Sequence, residues 1–213
     1  MWGRVFMTGL LCSCLAYPVI IDRIAVRVGN AIIKDSDIDR NIRVTEFLND
    51  QPLNVSNAAR REASQRLIDQ AFIRREIQLS DYPRATWEEA DQQLDKLKKE
   101  RYKTEAALQQ AIHRYGLVQP DLRFEFHWQL TVLRFIDQRF KPAVLVTDEE
   151  IQNYYRGHRA ALVRANPGKT SLDDLRDQIR DILAGEKVNE QFFAWLDNQR
   201  KSNKVEFYEE SLR

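Results

Sequence analysis

Apolar residues recur along this chain at two periods, and the change from one to the other marks out its elements. Near the start, Ile24, Val26 and Val28 alternate with Ala25 and Arg27, Gly29-Asn30 interrupts, and Ala31-Ile32-Ile33 follows. Alternation on either side of a Gly-Asn pair predicts a small β-hairpin. Beyond it the spacing lengthens to three and four, the period of a helix with one apolar face. Ser36-Asp37-Ile38-Asp39 reads as a helix start, with a capping side chain and an acid in the first turn. Ile38 and Ile42 continue that face until about Asn49. A longer helix is predicted from Ser56 or Asn57 to Leu79, with a stripe of Ala63, Leu67 and Ala71 joined by Ile68 and Phe72.

The second half repeats the scheme. Thr86-Trp87-Glu88-Glu89 is a capping box leading into Ala90, Leu94 and Leu97. Thr104 opens a short helix carrying Leu108, Ile112 and Tyr115, which Gly116 can end in a left-handed turn. Pro120-Asp121 starts another, with Leu122, Phe126, Leu130, Leu133 and Ile136 on or near one face. Thr147-Asp148-Glu149-Glu150 starts the next, which must stop before Asn166-Pro167-Gly168. Ser171 to Asp174 caps the last helix, and Gly185 inside it costs about 1 kcal/mol relative to Ala without forcing a break. Val205-Glu206-Phe207 then alternates again, and a lone strand must find a partner. The simplest architecture is mainly α: a multi-helix body with one small β-sheet, formed by the N-terminal hairpin and this C-terminal strand.

Composition narrows the function more than the fold. The chain has 213 residues, 31% of them charged, and only 7 glycines. Lys and Arg total 33 against 32 Asp and Glu, so electrostatics offers no argument for a nucleic-acid partner. Arg4 is the only charged side chain before Asp22, and Val5 to Ala16 is apolar apart from Thr8, Gly9 and Ser13. A basic start, a short apolar run and small residues at its end predict a secretory signal peptide over 1–16, with 17–213 as the exported, mature domain. The run is shorter and more interrupted than the roughly 20 residues of a membrane span. Both cysteines, Cys12 and Cys14, lie inside it. Leu11-Cys12-Ser13-Cys14 also resembles a lipoprotein signal, in which Cys14 would be acylated and the protein anchored to a membrane.

The search for chemistry comes back nearly empty. His113, His127 and His158 stand in no metal-binding spacing and are assigned structural or surface roles. No glycine pattern matches a phosphate-binding or dinucleotide fingerprint, and no G-x-S-x-G occurs. The paired acids at 88–89, 148–150 and 173–174 sit at helix starts, where backbone N–H groups explain them. No catalytic residue, metal or cofactor is expected. What remains is the helix from Leu122 to Phe140, whose circumference also carries Phe124, Trp128, Phe135 and Phe140. Such a helix is either central to the core or lines a groove that grips other chains, and periodicity does not separate the two.

The run Ile21-Asp-Arg-Ile-Ala-Val-Arg-Val-Gly-Asn-Ala-Ile-Ile-Lys-Asp-Ser-Asp-Ile38 resembles the start of the SurA-type periplasmic chaperones and related PrsA-like foldases. Val144-Leu-Val-Thr-Asp-Glu-Glu-Ile151 with Tyr154-Tyr155 is similar to a junction of that family. Leu175–Leu183, Gln191–Arg200 and Val205–Phe207 resemble its closing helix and strand. The resemblance covers nearly all of residues 21–207. Gly29 departs from it, standing where the family pattern has Asn. So does the stretch Arg156–Ser171, which is too short to hold the parvulin-type prolyl isomerase domain found there in full-length members, since domains run from about 50 residues upward.

The resemblance therefore implies the chaperone module alone: an ATP-independent holdase without isomerase activity, whose helices form an apolar, aromatic-rich cradle. Its partners would be unfolded polypeptides, among them outer-membrane β-barrel proteins. Phe124, Trp128, Phe135 and Phe140 are the expected wall, with Trp87 and Tyr115 beside it. The alternative is a non-catalytic envelope or secretion adaptor that docks one specific partner. A terminal strand pairing across a small sheet also leaves open a homodimer that swaps it.

Overall fold

The computed structural model describes residues 22–208. The expected signal peptide and Cys14 lie outside the described residues. Within them the chain forms three strands and seven α-helices. Strands β1 (Ile24–Val28) and β2 (Ala31–Lys34) make the predicted hairpin. Gly29 takes the first turn position at φ 56°, a left-handed conformation that costs glycine nothing. Helices follow in order: α1 (Asp35–Leu48), α2 (Asn57–Leu79), α3 (Trp87–Leu97), α4 (Glu105–Arg114), α5 (Gln119–Phe140), α6 (Asp148–Ala165) and α7 (Leu172–Ser202). Strand β3 (Val205–Phe207) closes the chain by pairing antiparallel with β1, so the sheet order is β2-β1-β3. The mainly helical fold with its small sheet built from both ends of the domain is as the pattern predicts.

The helix starts hold the predicted caps where a hydroxyl precedes three helical residues ending in an acid. Thr86, Thr147 and Ser171 each accept the backbone N–H of the N3 acid, while Glu89, Glu150 and Asp174 bond back to them. The first helix departs from expectation. It begins at Asp35 rather than at a Ser36 cap, and Ser36 instead donates its hydroxyl to Asp22 Oδ2 at 2.6 Å, tying the segment before β1 to the helix. Asp37 supplies half of a box alone, accepting the Lys34 N–H at 3.0 Å. After α5 the chain makes a 3₁₀ turn over Lys141–Ala143.

Three apolar clusters hold the body together. The sheet packs on α1 and α2 through Val26, Ile33, Ile38, Ile42, Ile68 and Phe72. Phe47, Leu94, Leu108, Ile112 and Leu122 join α1, α3, α4 and α5. Ile73, Ile77, Phe135, Phe140, Phe192 and Leu196 join α2, α5 and α7. The buried stripe of α2 runs through Ala63, Ser64, Ile68, Phe72, Ile73 and Ile77. Leu67 and Ala71, expected in that stripe, are turned partly out of it.

A fourth cluster, Ile151, Leu162, Leu175 and Ile179, belongs to α6 and α7 alone. Outside it this pair is pinned by polar contacts. Lys187 Nζ reaches Leu145 O at 2.7 Å and the Glu150 carboxylate at 2.6 Å. The Lys187 ammonium and the Thr147 backbone N–H together push the Glu150 pKa down to about 2. A carboxyl more acidic folded than unfolded stabilises the fold above its unfolded pKa and loses that contribution as pH falls through the folded one. Between about pH 4.5 and about 2, the α6–α7 pair should therefore loosen. Amide protection factors across Asp148–Ala165, which discount the acid slowing of intrinsic exchange, should fall as pH drops through this window in the wild type and change less in a Glu150→Gln variant.

Candidate functional site

The same helical periodicity that buries one stripe of α1, α2 and α5 points a second stripe into a shared groove of about 1020 Å³. From α1 come Asp37, Arg40, Asn41 and Val44, spaced three and four apart. From the start of α5 come Asp121, Phe124, Glu125 and Trp128 at the same spacing. Helix α2 supplies Leu67, Gln70, Ala71, Arg74, Arg75, Gln78 and Leu79, and the hairpin from Val28 to Ile33 forms a further wall. Within this lining Phe124 is 62% exposed, Leu79 71% and Ile32 52%. Three large apolar side chains left in water around one concavity mark a surface made for contact rather than for the core.

The polar groups of the groove are arranged around Trp128. The Arg74 guanidinium lies over its ring, 4.6 Å from the centroid, and Nη2 donates to Gln70 Oε1 at 3.3 Å. Crowding holds the Arg74 pKa below the ordinary guanidinium value, against the pull of Glu125 and Asp37, even though the residue as a whole stays exposed. Arg40 and Asp121, both in the lining, approach to 3.4 Å.

Phe124 crowns a ridge, with the groove on one side and a second aromatic patch on the other. There the Trp87 ring stacks on His127 at 4.0 Å and meets Phe124 edge-on at 5.1 Å. Arg123 covers it at 4.8 Å while binding both carboxylate oxygens of Asp91. Trp87 thus belongs to the ridge and contributes nothing to the groove lining.

Two members of the expected wall are corrected by their burial. Phe135 is 0% exposed and Phe140 7%. Phe135 packs against Tyr82, Phe140 and Trp195 with ring centroids 5.2 to 5.8 Å apart, and Phe140 also meets Phe192. The reason is position along α5: its first three turns face the groove, while its C-terminal half lies against α2 and α7. Tyr115 is likewise structural. Its ring meets Phe47 edge-on at 5.5 Å and its hydroxyl donates to Gln51 O at 2.8 Å, tying the end of α4 to the loop after α1. Of the six residues expected to bind clients, Phe124 and Trp128 line the groove. The sequence reading missed Ile32, Leu79 and Arg74. The usable signal was an apolar residue standing beside the buried set, as Ile32 stands next to Ile33.

The chain matches no protein-family model and no curated protein. Its likeness to the SurA-type chaperones therefore stays a resemblance, and function is argued from geometry. Among the described residues no group of three or more His, Cys, Asp or Glu is placed to hold a metal ion. No helix among them is long and apolar enough to cross a membrane. His113 and His158 are exposed, the latter stacked on Tyr154 at 4.1 Å.

Proposed function

We propose that this protein is an ATP-independent chaperone of the periplasm that holds unfolded segments of other proteins, outer-membrane β-barrel proteins among them, without prolyl isomerase or other catalytic activity. The observation that carries the proposal is the groove itself, about 1020 Å³ with Phe124, Leu79 and Ile32 left exposed around it. A cleft of this size admits a short stretch of chain with several side chains. Its apolar contacts are spread over three helices and a hairpin, so no one side chain of the client decides binding, which is what a promiscuous, readily released grip requires. The order of motifs shared with the SurA-type family supports the same function and supplies the periplasmic address.

The test is aggregation suppression without nucleotide, using a denatured outer-membrane β-barrel protein and an unrelated soluble client. Suppression at near-stoichiometric amounts, stronger for the barrel protein, is the expected result. A folded protein that suppresses neither would overturn the proposal.

A further inference from the structure

We infer that an extended polypeptide segment enters the groove as a fourth strand, pairing with β2 through the backbone of Ile32 and presenting an acidic side chain to Arg74 and Arg75. The inference rests on the groove being a client site and names how that client is held.

Register decides which backbone groups are free. Ala25 O accepts the Tyr208 N–H at 2.9 Å and the Gly29 N–H donates to Lys204 O, so residues 25, 27 and 29 of the chain face β3. Because peptide groups alternate in direction along an antiparallel strand, Val26 and Val28 face β2. They lie opposite Ile33 and Ala31 respectively. Ile33 and Ala31 therefore carry the bonds between β1 and β2, and the N–H and C=O of Ile32 point away from the sheet. Strand β2 is the outer strand on that side, and Ile32 lines the groove. The neighbouring Lys34 N–H is already taken by Asp37, which centres the open backbone on Ile32. An unpaired donor and acceptor on a strand edge are a template for a further strand. The opposite edge, β3, contributes no residue to the groove lining.

Charge selects the occupant's chemistry. Of the carboxylates in the groove, Asp121 is matched by Arg40, Asp37 accepts the Lys34 N–H, and Glu125 accepts from Gln129 at 2.8 Å. Among the described residues the hydrogen-bond partners of Arg74 and Arg75 are neutral, Gln70 and Asn203. Adjacent cations that form no ion pair with a carboxylate among the described residues, one crowded against Trp128 with Glu125 and Asp37 acting on it only from a distance, complement an acidic side chain on the incoming strand.

The experiment uses the full chain and a blocked seven-residue peptide of alternating valine and tyrosine with a central glutamate. Binding is followed by the Trp128 indole N–H resonance and by amide exchange. At saturation the Ile32 amide should exchange about tenfold more slowly, while that of Phe207, on the outer edge of β3, is unchanged. Ile32→Pro removes the outward N–H as well as the isoleucine side chain and is compatible with an edge strand, and Ile32→Ala is the control for the side chain. The proline variant should weaken binding about tenfold, the scale of one or two backbone hydrogen bonds, whereas Ile32→Ala, which keeps the donor, should weaken it less. A glutamine in place of the peptide's glutamate should cost several-fold. Saturation that shifts Trp128 yet leaves the Ile32 amide unprotected overturns strand addition and leaves the groove as client site. A peptide that leaves Trp128 unmoved overturns both. Equal affinity for the glutamine peptide overturns the acidic character of the occupant.

Discussion

Replacing Phe135 by alanine should destabilise the protein by about 3–5 kcal/mol, the usual cost of removing a buried phenylalanine and leaving a cavity. Its ring is wholly buried where α2, α5 and α7 meet, within 6 Å of the rings of Tyr82, Phe140 and Trp195. The surrounding aromatic rings are large and mutually packed, so the site has little freedom to collapse. Set against the roughly 5–15 kcal/mol that holds a typical domain folded, the loss is severe. Thermal unfolding should fall by roughly 6–20 °C for a chain of this size. Urea unfolding followed by circular dichroism measures the change directly. A Phe135→Ala protein of wild-type stability with lost client binding would return Phe135 to the binding wall.

Replacing Phe124 and Leu79 together by aspartate should do the reverse, leaving the fold in place and removing at least about tenfold of client affinity. Both side chains are mostly in water, so their loss creates no cavity. Both line the groove, from α5 and from α2 respectively, and two apolar anchors worth about 1 kcal/mol or more apiece multiply to a tenfold effect or larger. The aspartates would also be buried against an apolar client without a partner, which adds a penalty. Aggregation suppression should be lost at amounts where the wild type protects fully. The unfolding curve serves as the control. Unchanged suppression by a folded double variant would move the client site off this groove.

These two expectations separate residues that look alike in the sequence. Phe124, Trp128, Phe135 and Phe140 sit on one helix at spacings of four, seven and five, and nothing local distinguishes them. The elements themselves were legible because their signals are local. A Gly-Asn pair between alternating residues makes a turn, and a hydroxyl with an acid three residues on closes a helix start. Where the local signal was ambiguous, a neighbour in space overrode it. Ser36 offered a cap, but Asp22, fourteen positions earlier, took its hydroxyl and the helix began at Asp35.

The sequence by itself determined a mainly helical body, the places where its helices begin, and a terminal strand in need of a partner. Hydrogen bonds within a turn and apolar repeats within a helix depend on residues a few positions apart, so they are written in order along the chain. Tertiary structure alone decided which apolar side chains of α1, α2 and α5 are core and which stand among polar ones in the groove. That outcome depends on the angle and depth at which helices distant in sequence cross, and only packing sets those. It also decided that Ile32, one residue from buried Ile33, lines the groove with its backbone directed away from β1 and unpaired among the described residues. The pairing of β1 with both β2 and β3 settles that direction, because peptide groups alternate along a strand and a one-residue shift would have reversed it.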